Sequence, residues 1–175
     1  MSDLSYRPAT LDDLIQIEKL VNTAYRGETS RQGWTTEADL LDGQRTDKEA
    51  LHDIINATDN IIILCHKANQ LIGTVHLHCE QEICHFGMFT IQPSLQNLGI
   101  GKKFIAYAEK YARNTLGCTY MAMTVIDLRT ELLQWYERRG YINTGKFAKF
   151  PYGNERFGIP RRDDLVLTIL KKSLV

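Results

Sequence analysis

Gln96-Asn97-Leu98-Gly99-Ile100-Gly101-Lys102 decides how this chain is read, because it lies between a strand pattern and a helix pattern. Ile83 to Ile91 reads as a strand that Pro93 ends. Downstream, Phe104, Ile105, Ala108 and Ala112 recur at helical spacing until Gly117 at the C′ position. Glycines at such a junction let a ligand approach the backbone closely. The unpaired N–H groups of the helix's first turn then point at that ligand, and the helix dipole favours an anion such as pyrophosphate. Lys102 and Lys103 add positive charge. The alternative is a tight turn packed against the sheet. A dinucleotide-binding G-x-G-x-x-G would need glycine where Phe104 stands, and a P-loop would need glycine at Gln96 and Ser or Thr at Lys103, so neither pattern is met.

Outward from this turn, periodicity orders the rest of the chain. Leu4 to Pro8 reads as a short strand, and Thr10-x-x-Asp13 as a capping box before Leu14, Ile17, Val21 and Ala24 on one helical face. Residues 26 to 46 are polar and punctuated by glycine, with Trp34 and Leu40-Leu41 embedded, and lead into a helical stretch from Lys48 to Ala57. Ile61 to His66 and Leu71 to Cys79 read as strands joined at Asn69-Gln70. With Ile83 to Ile91 they form an antiparallel meander. A strand from Thr119 to Ile126 precedes a short helix capped by Asp127, containing Leu132, Leu133 and Tyr136 and ended by Gly140. Strands near Tyr141 to Phe150 and Leu165 to Leu170 complete an α/β pattern with a mixed sheet. No repeat or linker interrupts it, so residues 1–175 are expected to form a single domain.

The 175 residues carry 21 Lys plus Arg against 21 Asp plus Glu, and this zero net charge argues against nucleic-acid binding and against a polybasic membrane anchor. An apolar share of 43% supplies a sizeable core. The longest apolar run, Ile61 to Cys65, is far too short to span a bilayer, and Met1 to Arg7 has no secretory apolar region, so a cytoplasmic location is expected. Cys65, Cys79, Cys84 and Cys118 lie in or beside apolar runs without a C-x-x-C pair and read as buried free thiols.

With these elements in place, Gln96-x-x-Gly99-x-Gly101 resembles the Q/R-x-x-G-x-G/A signature that cradles the coenzyme A pyrophosphate in the GNAT superfamily of acyl-CoA N-acyltransferases. The resemblance covers nearly the whole chain. It includes Arg7-Pro8-Ala9-Thr10-x-x-Asp13, Phe89-x-Ile91-x-Pro93 and Tyr136-Glu137-Arg138-Arg139-Gly140-Tyr141. More narrowly, Gly33-Trp34-Thr35-Thr36-Glu37-Ala38-Asp39-Leu40-Leu41, Arg129-Thr130-Glu131-Leu132-Leu133-Gln134-Trp135-Tyr136 and Phe150-Pro151-Tyr152-Gly153 are similar to a subgroup without an established substrate. The resemblance implies the GNAT fold, a central mixed and mostly antiparallel sheet flanked by helices. It also implies N-acetyl transfer with acetyl-CoA as co-substrate, and a homodimer as a common assembly.

Matching positions, the resemblance assigns pantetheine contacts to Phe89, Thr90 and Ile91, and the pyrophosphate to the amides of Gln96, Asn97, Leu98, Gly99, Ile100 and Gly101, with Lys102 just inside the helix. It makes the Phe89 N–H the donor that polarises the thioester carbonyl. Tyr136 holds the family position of the acid; its phenol, with an ordinary pKa of about 10, donates a proton near neutral pH. The other reading of Tyr136 is a core residue beside Leu132 and Leu133. For the base, some members place a glutamate six residues ahead of the Ile91 position, which here is His85, with Glu28, Glu37 and Asp39 as alternatives. Pairing Cys79 with Cys84 would set His78 opposite His85 with His76 on the same face. That trio reads either as a metal site or as a solvated, hydrogen-bonded cluster. Where many members have asparagine seven residues before the tyrosine, this chain has Arg129, which either reaches a coenzyme phosphate or pairs with Glu131 or Asp127.

By the same resemblance the acceptor site lies between residues 27 to 45 and 146 to 162. Glu28 and Glu37 are candidates to attract an amine, and Trp34 and Tyr152 to line the pocket. Lys146, Lys149, Arg156, Arg161 and Arg162 on the second loop suggest a zwitterionic acceptor. A small-molecule amine acetylated by direct attack is the leading reading. A protein or peptide acetyltransferase and a non-catalytic acyl-CoA sensor are the competitors.

Overall fold

The computed structural model describes residues 4–175; the part of the leader reading that rests on Met1, Ser2 and Asp3 lies outside them. In chain order the elements are β1 (Leu4–Pro8), α1 (Leu14–Tyr25), α2 (Gly27–Ser30), β2 (Leu41–Asp42), α3 (Lys48–Asn56), β3 (Asn60–Lys67), β4 (Gln70–Glu80) and β5 (Ile83–Ile91). They continue with α4 (Ile100–Asn114), β6 (Tyr120–Ile126), α5 (Thr130–Glu137), β7 (Ile142–Lys149), β8 (Ile159–Pro160) and β9 (Val166–Ser173). Seven strands form one sheet in the order β1-β3-β4-β5-β6-β9-β7, and β2 pairs with β8 in a small separate ribbon. Among these pairs only β5 and β6 run parallel, so the sheet is mixed and mostly antiparallel as expected.

Alternation sends side chains to two cores. On one face Val75, Leu77, Phe86 and Met121 pack against Phe104, Ile105, Ala108 and Ala112 of α4 and Tyr136 of α5. On the other, Ile62, Leu64, Leu71 and Met88 meet Ile17, Val21 and Tyr25 of α1 and Leu51 of α3. The helices form where their apolar positions recur at 3–4-residue spacing over one such face. Cys65, Cys84 and Cys118 are buried, Cys79 is half-buried, and all four are free thiols. No helix among the described residues is long and apolar enough to cross a membrane.

Several boundaries differ from the reading of the sequence. The turn after β3 uses Ala68 and Asn69, both with positive φ, so Gln70 already belongs to β4. Asp127 does not cap α5. Arg129 occupies that position without a side-chain bond, and Asp127 Oδ1 is buried with no partner. The sheet also inverts the order of its last strands: β9 runs between β6 and β7, leaving β7 at an edge where Ile142 and Phe147 are exposed.

The N-terminal cap forms as read. The Thr10 amide donates to Asp13 Oδ2 at 2.8 Å, and Arg7 adds bonds of 2.8 and 2.7 Å to the same carboxylate. These donors, the Arg7 guanidinium foremost, lower the Asp13 pKa from 3.8 to about 2. A carboxylate with a depressed folded-state pKa stabilises the fold above its unfolded pKa and loses that contribution as pH falls through the folded one. Thermal unfolding followed between pH 4 and pH 2 should therefore show a steep fall in Tm for the wild type and a shallower one for Asp13→Asn, which starts lower.

Candidate active site

Beside β5 the sheet is open. β5 and β6 pair only at Ile83↔Tyr120, Cys84↔Met121 and His85↔Ala122, and beyond His85 the strands diverge, leaving the edge of β5 toward Ile91 without a neighbour on that side. On its other side β5 pairs with β4 through a bulge, with Met88 and Phe89 together facing Val75. Met88 has φ 47°, a left-handed conformation uncommon for a residue with a side chain.

The glycine turn closes one end of this opening. Asn97 and Gly99 have φ of 64° and 76°, Gly99 stands at the N-cap position of α4, and an L side chain there would be strained. None of the amide N–H groups from Asn97 to Lys102 donates to an acceptor among the described residues. Six free amides at the positive end of a 15-residue helix have the geometry and charge to hold an anion. At Gly101 a Cβ would stand 3.4 Å from the Trp135 ring, so a larger residue would intrude on the space between turn and ring.

A cavity of about 350 Å³ runs from this turn to the bulge of β5. Phe89, Ile91, Gln96, Asn97, Gly99 and Gly101 line it, as does Lys102. Of the other residues assigned to the coenzyme, Leu98 projects into solvent, Ile100 is buried in the core, and Thr90 is buried with its hydroxyl bonded to the Met88 carbonyl. Lys102, Arg138 and Arg139 put three cations on the wall, and no carboxylate or imidazole lines it among the described residues. Arg139 stacks on Trp135, 3.3 Å from the ring centroid, and donates to the Trp135 carbonyl at 2.6 Å, while its Nε is buried with no partner.

Tyr136 lies within the cavity wall, 4% exposed, among the rings of Phe86, Phe89, Trp135 and Tyr141. Its hydroxyl has no hydrogen-bond partner among the described residues, and burial pushes its pKa upward, keeping the phenol protonated. Facing the same space is a residue that the sequence reading missed. Tyr25, the last residue of α1, donates its hydroxyl to the Phe89 carbonyl at 3.3 Å. In the sequence Tyr25 continues the apolar face of α1, so nothing marks it as more than a core residue.

The other candidates lie elsewhere. His85 does not line the cavity; the bulge changes the alternation of β5, so Phe86, Phe89 and Ile91 share the α4 face, whereas Met88 packs on the α1 face. The His85 ring is exposed, with Nε2 3.7 Å from Glu80. The expected Cys79↔Cys84 and His78↔His85 register is present, yet His76 bonds Asn60 at 2.7 Å, and burial lowers its pKa to about 4. No group of side chains suited to a metal occurs among the described residues. Glu28 is exposed and pairs with Arg31, and the Tyr152 hydroxyl accepts from the Leu165 amide at 2.7 Å, pinning its loop. Arg156 pairs with Asp47 and Glu49, Arg161 with Asp42, and Arg162 with Asp164.

Glu37 and Arg129 are committed to one another. The Glu37 carboxylate lies between Arg129, which donates at 3.0 Å, and Arg26, and all three side chains are nearly buried. Arg129 also donates to the carbonyls of Trp34 and Thr35 at 3.2 and 2.9 Å, and Arg26 to that of Phe157 at 2.8 Å. Arg129 thus spends its donors on the early loop instead of a coenzyme phosphate, Glu131 or Asp127. Gln96 ties the same loop to the glycine turn, accepting from the Trp34 amide at 2.5 Å and donating to the Ile91 carbonyl at 2.8 Å. Trp34 and Leu132 separate the cavity from a second hollow of about 400 Å³ that holds Glu37, Asp39, Glu131 and Arg129.

The sequence profile of the Acetyltransferase (GNAT) family matches residues 17–141. A curated relative, the S-(2-succino)cysteine N-acetyltransferase of Bacillus subtilis (strain 168), is 24% identical over 99 residues; the match spans 52% of this chain and 60% of the relative's length. Among solved structures, an N-acetyltransferase from Staphylococcus aureus Mu50 superposes with a TM-score of 0.74 at 16% identity, covering 98% of both chains. The spermidine/spermine N-acetyltransferase of Vibrio cholerae gives 0.69 at 18% identity, covering 99% of this chain and 94% of that one. Replacing Glu37 by Gln leaves two nearly buried guanidinium groups facing a neutral amide, and removing one partner of a buried ion pair typically costs about 3 kcal/mol. Urea unfolding of Glu37→Gln should show the free energy of unfolding lowered by that amount, seen as a lower midpoint at unchanged slope.

Proposed function

Because the chain belongs to the GNAT acetyltransferase family, we propose that it transfers the acetyl group of acetyl-CoA to the primary amine of a small molecule, by direct attack within a ternary complex. The observation that carries this reading is the continuous space from the six free amides of the glycine turn to Tyr136. It offers an anion site at one end and a proton donor at the other. The amides of Asn97 to Lys102, with Lys102, Arg138 and Arg139, would hold the coenzyme's phosphates, and the open edge of β5 would pair with its pantetheine arm. The coenzyme supplies a thioester, whose acyl carbon accepts a nitrogen lone pair.

The Phe89 N–H is the donor for the negative charge that develops on the carbonyl oxygen. As the new C–N bond forms and the C–S bond breaks, Tyr136 gives its proton to the departing sulfur and regains one from solvent. The attacking nitrogen loses a proton to water, since neither a carboxylate nor an imidazole lines the cavity among the described residues. An ammonium acceptor would gather at the second hollow, where Glu131 adds negative charge near Trp34 and Asp39 is paired with Arg31 at 2.6 Å. The arginines between residues 156 and 162 are taken up in ion pairs, which leaves only Lys146 and Lys149 as support for a zwitterionic acceptor. The relatives named for their acceptors, S-(2-succino)cysteine and spermidine, act on amine-bearing small molecules.

Calorimetric titration with acetyl-CoA tests the reading. One-to-one binding is expected in the wild type and should be lost in Gly101→Glu, whose side chain enters the space before Trp135 and brings a negative charge to the anion site. A folded wild type that binds no acetyl-CoA would overturn it. In an amine screen that follows thiol release, Tyr136→Phe should lower kcat about 100-fold with acetyl-CoA affinity unchanged. The rise of kcat/KM with pH should follow the pKa of whichever amine is supplied, because deprotonation falls to the acceptor itself.

A further inference from the structure

The bulge of β5 presents a backbone carbonyl to an unusual pair of donors. Thr74 Oγ1 and Thr90 Oγ1 each donate to the Met88 carbonyl at 3.0 Å, from strands whose register sets the two threonines opposite one another. Both are buried, Thr74 at 1% and Thr90 at 0% exposure. We propose that Thr74 and Thr90 are positioning residues for acyl transfer, whose hydroxyls fix the Met88 carbonyl and so aim the Phe89 N–H at the thioester carbonyl of the acetyl donor. The inference rests on the acetyl-transfer reading above and deepens it.

A carbonyl oxygen has two lone pairs, and here both hydroxyls converge on it from the same side of the strand. The peptide unit is planar and trans, so its N–H points away from its C=O. Holding the Met88 oxygen against Thr74 and Thr90 therefore turns the Phe89 N–H to the opposite side, where the Phe89 ring lines the cavity. Met88 keeps a left-handed φ of 47°, a conformation that persists only where the surroundings over-determine it. The two hydroxyls supply that constraint, and Tyr25 holds the next carbonyl, that of Phe89, at 3.3 Å. Both peptide groups around Phe89 are thus fixed by side chains.

The residue types support the same assignment. At a fully buried position in a central strand, valine has the same shape as threonine and no polar atom to satisfy. Neither hydroxyl is needed to fill space, and their shared acceptor is the carbonyl whose peptide carries the donor to the reacting centre. A preorganised donor of this kind acts without reorganisation when charge develops.

The experiment compares wild type with Thr74→Val, Thr90→Val and the double variant, using acetyl-CoA labelled with 13C at the carbonyl and difference infrared spectroscopy of the bound ester. In the wild type the carbonyl stretch should lie at lower frequency than in free acetyl-CoA. In the double valine variant it should return toward the free value and kcat should fall at least 10-fold, while affinity for acetyl-CoA and for coenzyme A stays within about 3-fold. Thr74→Ser and Thr90→Ser, which keep the hydroxyl, should retain the wild-type frequency. If the double variant does not fold, the single valine variants, each leaving one hydroxyl on the carbonyl, should show a partial return. A valine variant that is folded, binds acetyl-CoA and shows the wild-type frequency would overturn the proposal, as would a wild type that binds acetyl-CoA without lowering the frequency. A wild type that binds no acetyl-CoA would instead overturn the acetyl-transfer reading, and this proposal with it.

Discussion

The parting of β5 from β6 after three paired residues is the constraint on which the rest depends. An unpaired strand edge inside a sheet exposes backbone donors and acceptors that must find partners. The chain leaves this edge open as one side of a cavity and covers its ends, with the glycine turn and α4 at one and with Tyr25, Tyr136 and Trp34 around the other. The core beneath is rigid, since Phe104, Tyr136 and Tyr141 fill the space between sheet and helices. The gap is thus a property of the packed sheet, independent of any movable loop.

The loop from Gly33 to Leu41 depends on a different kind of bond. Its anchor is the ion cluster of Arg26, Glu37 and Arg129, reinforced by the Gln96 amide. Burying three charges is costly, and apolar packing would often serve stability as well. What the cluster adds is direction. One carboxylate joins the end of α1 to the start of α5, and the Nη2 groups of Arg26 and Arg129 hold three backbone carbonyls, two in this loop and one at Phe157. The wall between the cavity and the second hollow is therefore fixed by groups from four distant parts of the chain.

How far the sequence could be read follows from the same distinction. Local patterns were legible: the capping box at Thr10 and Asp13, the meander with His78 opposite His85, and the glycine turn that opens α4. Features set by partners remote in the chain were not. His85, two residues from Gly87 and six from Ile91, would share the face of Phe89 and Ile91 in a regular strand, and the bulge at Met88 breaks that count. Arg129 and Glu37 are 92 residues apart, and no spacing rule joins them. Tyr25 looks like any apolar position of α1, and its role appears only when β5 is laid beside it.

The strand order carries a consequence for how the chain acquires its shape. β9 lies between β6 and β7, although it follows both in the chain. β7 has no sheet partner until Val166–Ser173 arrives, and β6 has only its three residues beside β5; Leu170 then seals the core near Tyr141 and Met121. Contacts of such large sequence separation form late and slowly. During synthesis the glycine turn and α4 emerge well before the strand that steadies β6. A half-made chain thus carries the residues of the cavity without a stable wall to hold them, and the site is completed by one of the last strands to join the sheet.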